Sequence, residues 1–135
     1  MSSPLLYINT TVFHKLELIL VSDNKSIVYE SDLGFNESFK TLGLIQKFLA
    51  KQKTKLSDLQ KIMVCSGPGS FTGIRVGVSL AQALGLGLNI PVVAIPKSKI
   101  PKDLVKLTHI KLPNKLTLHY GAKPNITKPK KKTRG

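Results

Sequence analysis

Arg75 is the single charged residue between Lys61 and Lys97, and from Val76 to Pro96 there is none. A stretch this apolar must hide much of its surface. It is long enough to raise a transmembrane helix, but Asn89 and Pro91 interrupt it, Ser79 and Gln82 dilute it, and Gly77, Gly85 and Gly87 weaken it. A buried helix from Thr72 to about Leu88 followed by a buried strand, Val92 to Ile95 between two prolines, fits better. Ahead of it, Ile62 to Ser66 is a continuous apolar run, as expected of a strand covered on both faces. Strand, loop, helix and strand then form one crossover unit, and parallel strands joined this way cross over right-handedly.

The upstream residues change period. Leu5 to Asn9 reads as a short apolar strand. Residues 12–21 alternate, with Leu16, Leu18 and Leu20 on one side and Lys15 and Glu17 on the other. Ser22-Asp23-Asn24-Lys25 is a turn, and Ser26 to Ser31 returns as a third strand. Asn36 can N-cap a helix to about Lys51, with Phe39, Leu42, Ile45, Phe48 and Leu49 on one broad face. The order β-β-β-α-β-α-β predicts an α/β fold. Its mixed five-stranded sheet has a three-strand antiparallel meander and two parallel strands. With 135 residues there is room for one domain of ordinary size. That domain is expected over residues 1–96.

Charge divides the chain at the same place. Residues 1–96 carry 9 basic and 6 acidic residues, net +3, whereas residues 97–135 carry 12 basic residues and only Asp103, net +11. The overall +14 therefore does not describe a basic DNA-binding fold. It describes a near-neutral body with a basic extension, expected to be largely disordered from about residue 121. Lys128, Lys130, Lys131, Lys132 and Arg134 are its candidate RNA contacts, and the division confines RNA contact to residues after Pro96. Asp103 to Leu107 reads as a helical turn and Leu116 to Tyr120 as a short strand. The lone Cys65 allows no disulfide within the chain, and the N-terminus lacks a basic leader. Both suit a cytoplasmic protein away from membranes.

Ser66 to Gly77 is the most informative segment. It leaves a strand and opens a helix, where free backbone N–H groups and the helix dipole can hold an anion. Gly67, Pro68, Gly69, Ser70, Phe71, Thr72, Gly73 and Arg75 are the candidate anion-binding residues. The segment lacks the lysine of a Walker loop, and its glycines are spaced one residue too long for a dinucleotide fingerprint. The simpler reading is a tight strand-to-helix turn capped by Ser70 or Thr72. Between Asp58 and Asp103 no carboxylate is available to hold Mg²⁺ or act as a base. His14, His109 and His119 have no metal-ligand spacing. Cys65 lies in a buried strand without an adjacent base. Neither a catalytic residue nor a metal ligand is expected.

Gly73, Gly77, Ala81 and Gly85 recur every four residues. Each helical glycine costs about 1 kcal/mol against alanine, so the stripe implies a close approach by another element. Two candidates stand open: this domain's own sheet or first helix, and a partner protein.

Residues 67–77, Gly-Pro-Gly-Ser-Phe-Thr-Gly-Ile-Arg-Val-Gly, closely resemble the signature region of the TsaB (YeaZ) family. The likeness continues through Ala81-Gln82-Ala83-Leu84-Gly85-Leu86-Gly87 to Asn89-Ile90-Pro91-Val92-Val93. It covers roughly residues 5–96. The resemblance implies an actin-like, ribonuclease-H-like domain. It also implies a subunit for making tRNA threonylcarbamoyladenosine, itself not catalytic. Such a subunit pairs with the TsaD transferase and works with the TsaE ATPase. The pairing it implies runs through the two helices, placing Phe39, Leu42, Gly73, Gly77, Ala81 and Gly85 at the partner interface, with a homodimer as the isolated form. No cofactor is implied for the chain itself; ATP would enter only at the interface of the complex. The family usually has aspartate where this chain has Asn9 and often histidine where Ser38 stands. Family members also carry a second domain that 135 residues leave no room for. His119 to Pro124 faintly echoes the family's C-terminal end, so the chain is expected to be a short form lacking most of that domain. The alternatives are a diverged nucleotide-binding enzyme of the actin-like superfamily and a basic RNA-binding module.

Overall fold

A computed structural model describes residues 4–33 and 38–110. Five strands form one sheet: β1 (Leu5–Asn9), β2 (Lys15–Ser22), β3 (Lys25–Asp32), β4 (Lys61–Cys65) and β5 (Val92–Ile95), in the order β3-β2-β1-β4-β5. The first three are the antiparallel meander. β4 runs parallel to β1, and β5 parallel to β4. The fold is the expected α/β class with a mixed sheet. Asp23 and Asn24, both at positive φ, make the two-residue β2–β3 hairpin, a turn that suits strand twist and favours these residue types.

Two helices cross the sheet: α1 (Thr41–Lys51) and α2 (Phe71–Leu88). Ile45, Phe48 and Leu49 of α1 and Val78 and Ala81 of α2 share one apolar core with Leu6, Ile8, Leu18, Ile62, Val64 and Val92. Both helices therefore cover the same face. By length and composition alone α2 could cross a membrane; here its inner side lies on the sheet and β5 follows it, as the interrupted apolar stretch predicts.

Three expectations change. The helix expected from Asn36 begins as a tight 3₁₀ turn, Ser38–Lys40, and becomes α-helical at Thr41; Asn36 lies outside the described residues. Phe39 and Leu42, expected on one broad apolar face with Ile45, Phe48 and Leu49, are exposed and part from that face, because the core uses only the side through Thr41, Ile45, Phe48 and Leu49. The domain also runs past Pro96. Two 3₁₀ segments, Lys97–Lys99 and Leu104–His109, return over the opposite face of the sheet. There Leu107 is fully buried with Leu5, Tyr7, Ile19, Met63, Cys65 and Ile95. Asp103 caps the second segment by accepting from the Val105 N–H at 3.2 Å. The expected strand at 116–120 and the basic tail, with Lys128, Lys130, Lys131, Lys132 and Arg134, lie outside the described residues.

Candidate functional site

The glycine loop joins β4 to α2 at the carboxyl end of the parallel strands. Gly67 has φ +112°, a conformation side chains rarely adopt, and its carbonyl accepts from the Lys97 N–H at 2.8 Å. The loop is pressed against the residues that follow β1. A Cβ on Gly69 would overlap the Thr11 backbone, and one on Gly73 the Thr10 carbonyl. The glycines therefore serve backbone-to-backbone contact.

Three backbone donors of the loop and first helical turn are engaged inside the chain. The Ser70 N–H donates to the Thr11 carbonyl at 2.7 Å and the Ile74 N–H to the Ser70 carbonyl at 2.8 Å. The Gly73 N–H donates to Ser70 Oγ at 3.1 Å, which makes Ser70 the N-cap. Phe71, Thr72 and Arg75 point outward. Arg75 lies over the Phe71 ring, its guanidinium carbon 5.6 Å from the centroid.

Asn9 is equally engaged. Its Oδ1 accepts from the Thr11 N–H at 2.9 Å and the Thr11 hydroxyl at 2.7 Å, and its Nδ2 donates to Glu17 Oε1 at 3.2 Å. The side chain thus orders the β1–β2 connection that carries the glycine loop. Among the described residues no three His, Cys, Asp or Glu side chains gather as a metal site. Cys65 is a free, buried thiol. Beside it Tyr7 Oη is buried without a hydrogen-bond partner among the described residues. Burial, with the thiol adding to it, pushes the Tyr7 pKa well above its ordinary value.

The small-residue stripe faces inward. Gly77 fits against the Thr10 side chain and Val64, and Gly85 against Val92, while Ala81 sits in the core. Gly73, Gly77, Ala81 and Gly85 are therefore not available as a partner surface: the close approach they permit is used by β1, β4 and β5. The outward side of α2 is different. Ser79, Ala83, Leu86 and Gly87 are exposed, with Leu86 at 86%, and no charge occurs from Val76 to the helix end. Phe39, at 77% exposure, and Leu42 add exposed apolar surface at the start of the first helical segment. Leu86 was not among the expected interface residues, because helical periodicity alone does not separate a face turned to the core from one turned outward.

Comparison with known proteins bears on the family and the fold. The family model described as "TsaD: tRNA N6-adenosine threonylcarbamoyltransferase" matches residues 37–130. A relative from Buchnera aphidicola (subsp. Schizaphis graminum), described as tRNA threonylcarbamoyladenosine biosynthesis protein TsaB, is 34% identical over 97 residues. The chain belongs to this family, in its TsaB (YeaZ) branch. The TsaB alignment covers 70% of the chain and 45% of the Buchnera relative, so the chain spans about half the length of that TsaB protein. YeaZ from Pseudomonas aeruginosa superposes with a TM-score of 0.64 at 24% identity, covering 70% of this chain and 44% of the other. RuvC of T. thermophilus, solved with a Holliday junction substrate, gives 0.52 at 9% identity, covering 73% and 67%. Both likenesses concern the fold alone and fit an actin-like, ribonuclease-H-like TsaB domain.

Proposed function

We propose that this chain is a non-catalytic subunit in tRNA threonylcarbamoyladenosine synthesis, binding a TsaD-like transferase through the outward sides of α1 and α2. The observation that carries the reading is the charge-free exposed side of α2. An 18-residue helix that keeps no charge after Arg75, and leaves Leu86 almost fully in water, has the character of an interface core awaiting a partner. Phe39 and Leu42 supply the matching apolar anchors. A non-catalytic role is supported by the engaged Asn9 side chain and the carboxylate-free sequence from residue 59 to 102.

In this reading the isolated chain self-associates through the same side until the transferase displaces its copy. A TsaE-like ATPase joins the assembled complex, and ATP acts only there. The setting is the cytoplasm. Depleting the chain from its native cell and measuring threonylcarbamoyladenosine in tRNA by mass spectrometry tests the role. The modification is expected to fall and to be restored by the wild-type chain but not by Leu86→Asp. Undiminished modification after depletion contradicts it.

A further inference from the structure

The loops after β1, β4 and β5 meet at the carboxyl ends of three adjacent parallel strands, joined by the Ser70 N–H to Thr11 carbonyl bond at 2.7 Å and the Lys97 N–H to Gly67 carbonyl bond at 2.8 Å. This end of the sheet carries two exposed phenylalanines. Phe13 is 66% and Phe71 63% exposed, and neither ring contributes to the two apolar cores. The Phe13 ring stacks on His14 with centroids 3.7 Å apart, and the Phe71 ring lies under the Arg75 guanidinium. Lys15, Arg75, Lys97 and Lys99, on or beside these three connections, are exposed. Glu17 is held by Asn9 and lines, with the exposed Glu30, a pocket beside Val12 and Lys15, and Asp32 stands opposite Lys15 in the β2–β3 register. The β4–β5 side has no carboxylate between Asp58 and Asp103.

Solvent-facing aromatic rings among cations form the platform on which single-stranded nucleic acid binds. Each ring offers a flat surface to an unstacked base while the cations meet the phosphates. A protein docking patch of the kind on α2 is instead apolar without charge. We propose that the Phe13–Phe71 end of the sheet binds unpaired bases of single-stranded RNA, with Arg75, Lys97 and Lys99 on the backbone. RNA rather than DNA follows from the tRNA role proposed above. The contact then belongs to the folded domain and is not confined to the basic residues after Pro96.

The test uses the full chain, fluorescence anisotropy, and two probes: a labelled single-stranded oligouridylate and an RNA duplex of equal length. The single strand is expected to bind more tightly. Phe13→Ala and Phe71→Ala are each expected to weaken it by roughly 5- to 100-fold at low and at moderate salt, with thermal stability unchanged. A 2-aminopurine base in the single strand is expected to be quenched by the wild type and less so by either variant. Equal affinity for the two probes, or aromatic variants that bind like wild type while salt alone abolishes binding, overturns the proposal and assigns the contact to the basic tail. No binding of the single strand also overturns it. Phe13 lies outside both helices, so Phe13→Ala is expected to retain the transferase, and failure here and failure of the subunit reading are separately visible.

Discussion

The Thr10 hydroxyl donates a hydrogen bond to the Gly73 carbonyl, and the Thr10 carbonyl occupies the space where a side chain on Gly73 would begin. This contact locks the first turn of α2 to the end of β1. It fixes the glycine loop between them and determines which side of α2 remains outward.

Gly73→Ala is therefore expected to destabilise the fold by about 2–3 kcal/mol, although alanine is the better helix former, because the clash is with backbone. Gly87→Ala carries the opposite sign. Nothing lies within 4 Å of a Cβ there, so helix propensity alone applies and stability rises by about 0.5–1 kcal/mol. Urea unfolding of both variants checks the pair.

Lys53 ends α1 in the left-handed region at φ 56°. Its N–H donates to the Ala50 carbonyl at 3.0 Å, and the Thr54 N–H to the Leu49 carbonyl at 2.9 Å, a termination that favours glycine at this position. Lys53→Gly is expected to stabilise the chain by about 0.5–1 kcal/mol, read as a rise in the midpoint of thermal unfolding. A fall would show that the lysine side chain contributes more than its backbone strain costs.

Tyr7 supplies a pH dependence. Burial raises its folded pKa above the ordinary value of 10.0, so above that pH the unfolded chain loses this proton while the folded chain keeps it. The folded state then binds more protons than the unfolded one, and stability falls as pH climbs past 10 toward the folded pKa. Tyr7→Phe removes this contribution together with a buried hydroxyl that lacks a partner among the described residues. The variant is expected to match or exceed wild-type stability at neutral pH and to lose less between pH 9 and pH 11, measured by urea unfolding at each pH.

Much of the fold was legible because apolar run length and period report burial directly. β1 and β5 have the expected bounds, β4 is displaced by one residue, and α2 begins one residue earlier than expected. The helical turn at Asp103–Leu107 was legible, but its packing on the sheet was not, because Leu107 is buried from a short 3₁₀ turn that leaves no 3.6-residue period to detect. The site was harder to read. The four-residue stripe correctly signalled a close approach at Gly77 and Gly85, but spacing does not say whether Val92 or another protein fills it. Phe39 and Leu42 fell on the right helix for a core face, and only the packing of Ile45 and Leu49 shows that the core stops short of them. The role of Asn9 depends on where Thr11 and Glu17 meet it in space, so it has no one-dimensional signal.

The central claim is that the outward sides of α1 and α2 bind a TsaD-like transferase. The most direct measurement is capture of that transferase by the full chain, comparing wild type with Phe39→Asp and Leu86→Asp. Both residues are exposed, so the variants are expected to fold with unchanged thermal midpoints. The account predicts that wild type forms a stable complex and that each aspartate weakens it at least tenfold, as expected for a charge buried without a partner in an apolar interface. A wild-type chain that captures no transferase, or variants that capture it as well as wild type, contradicts the account.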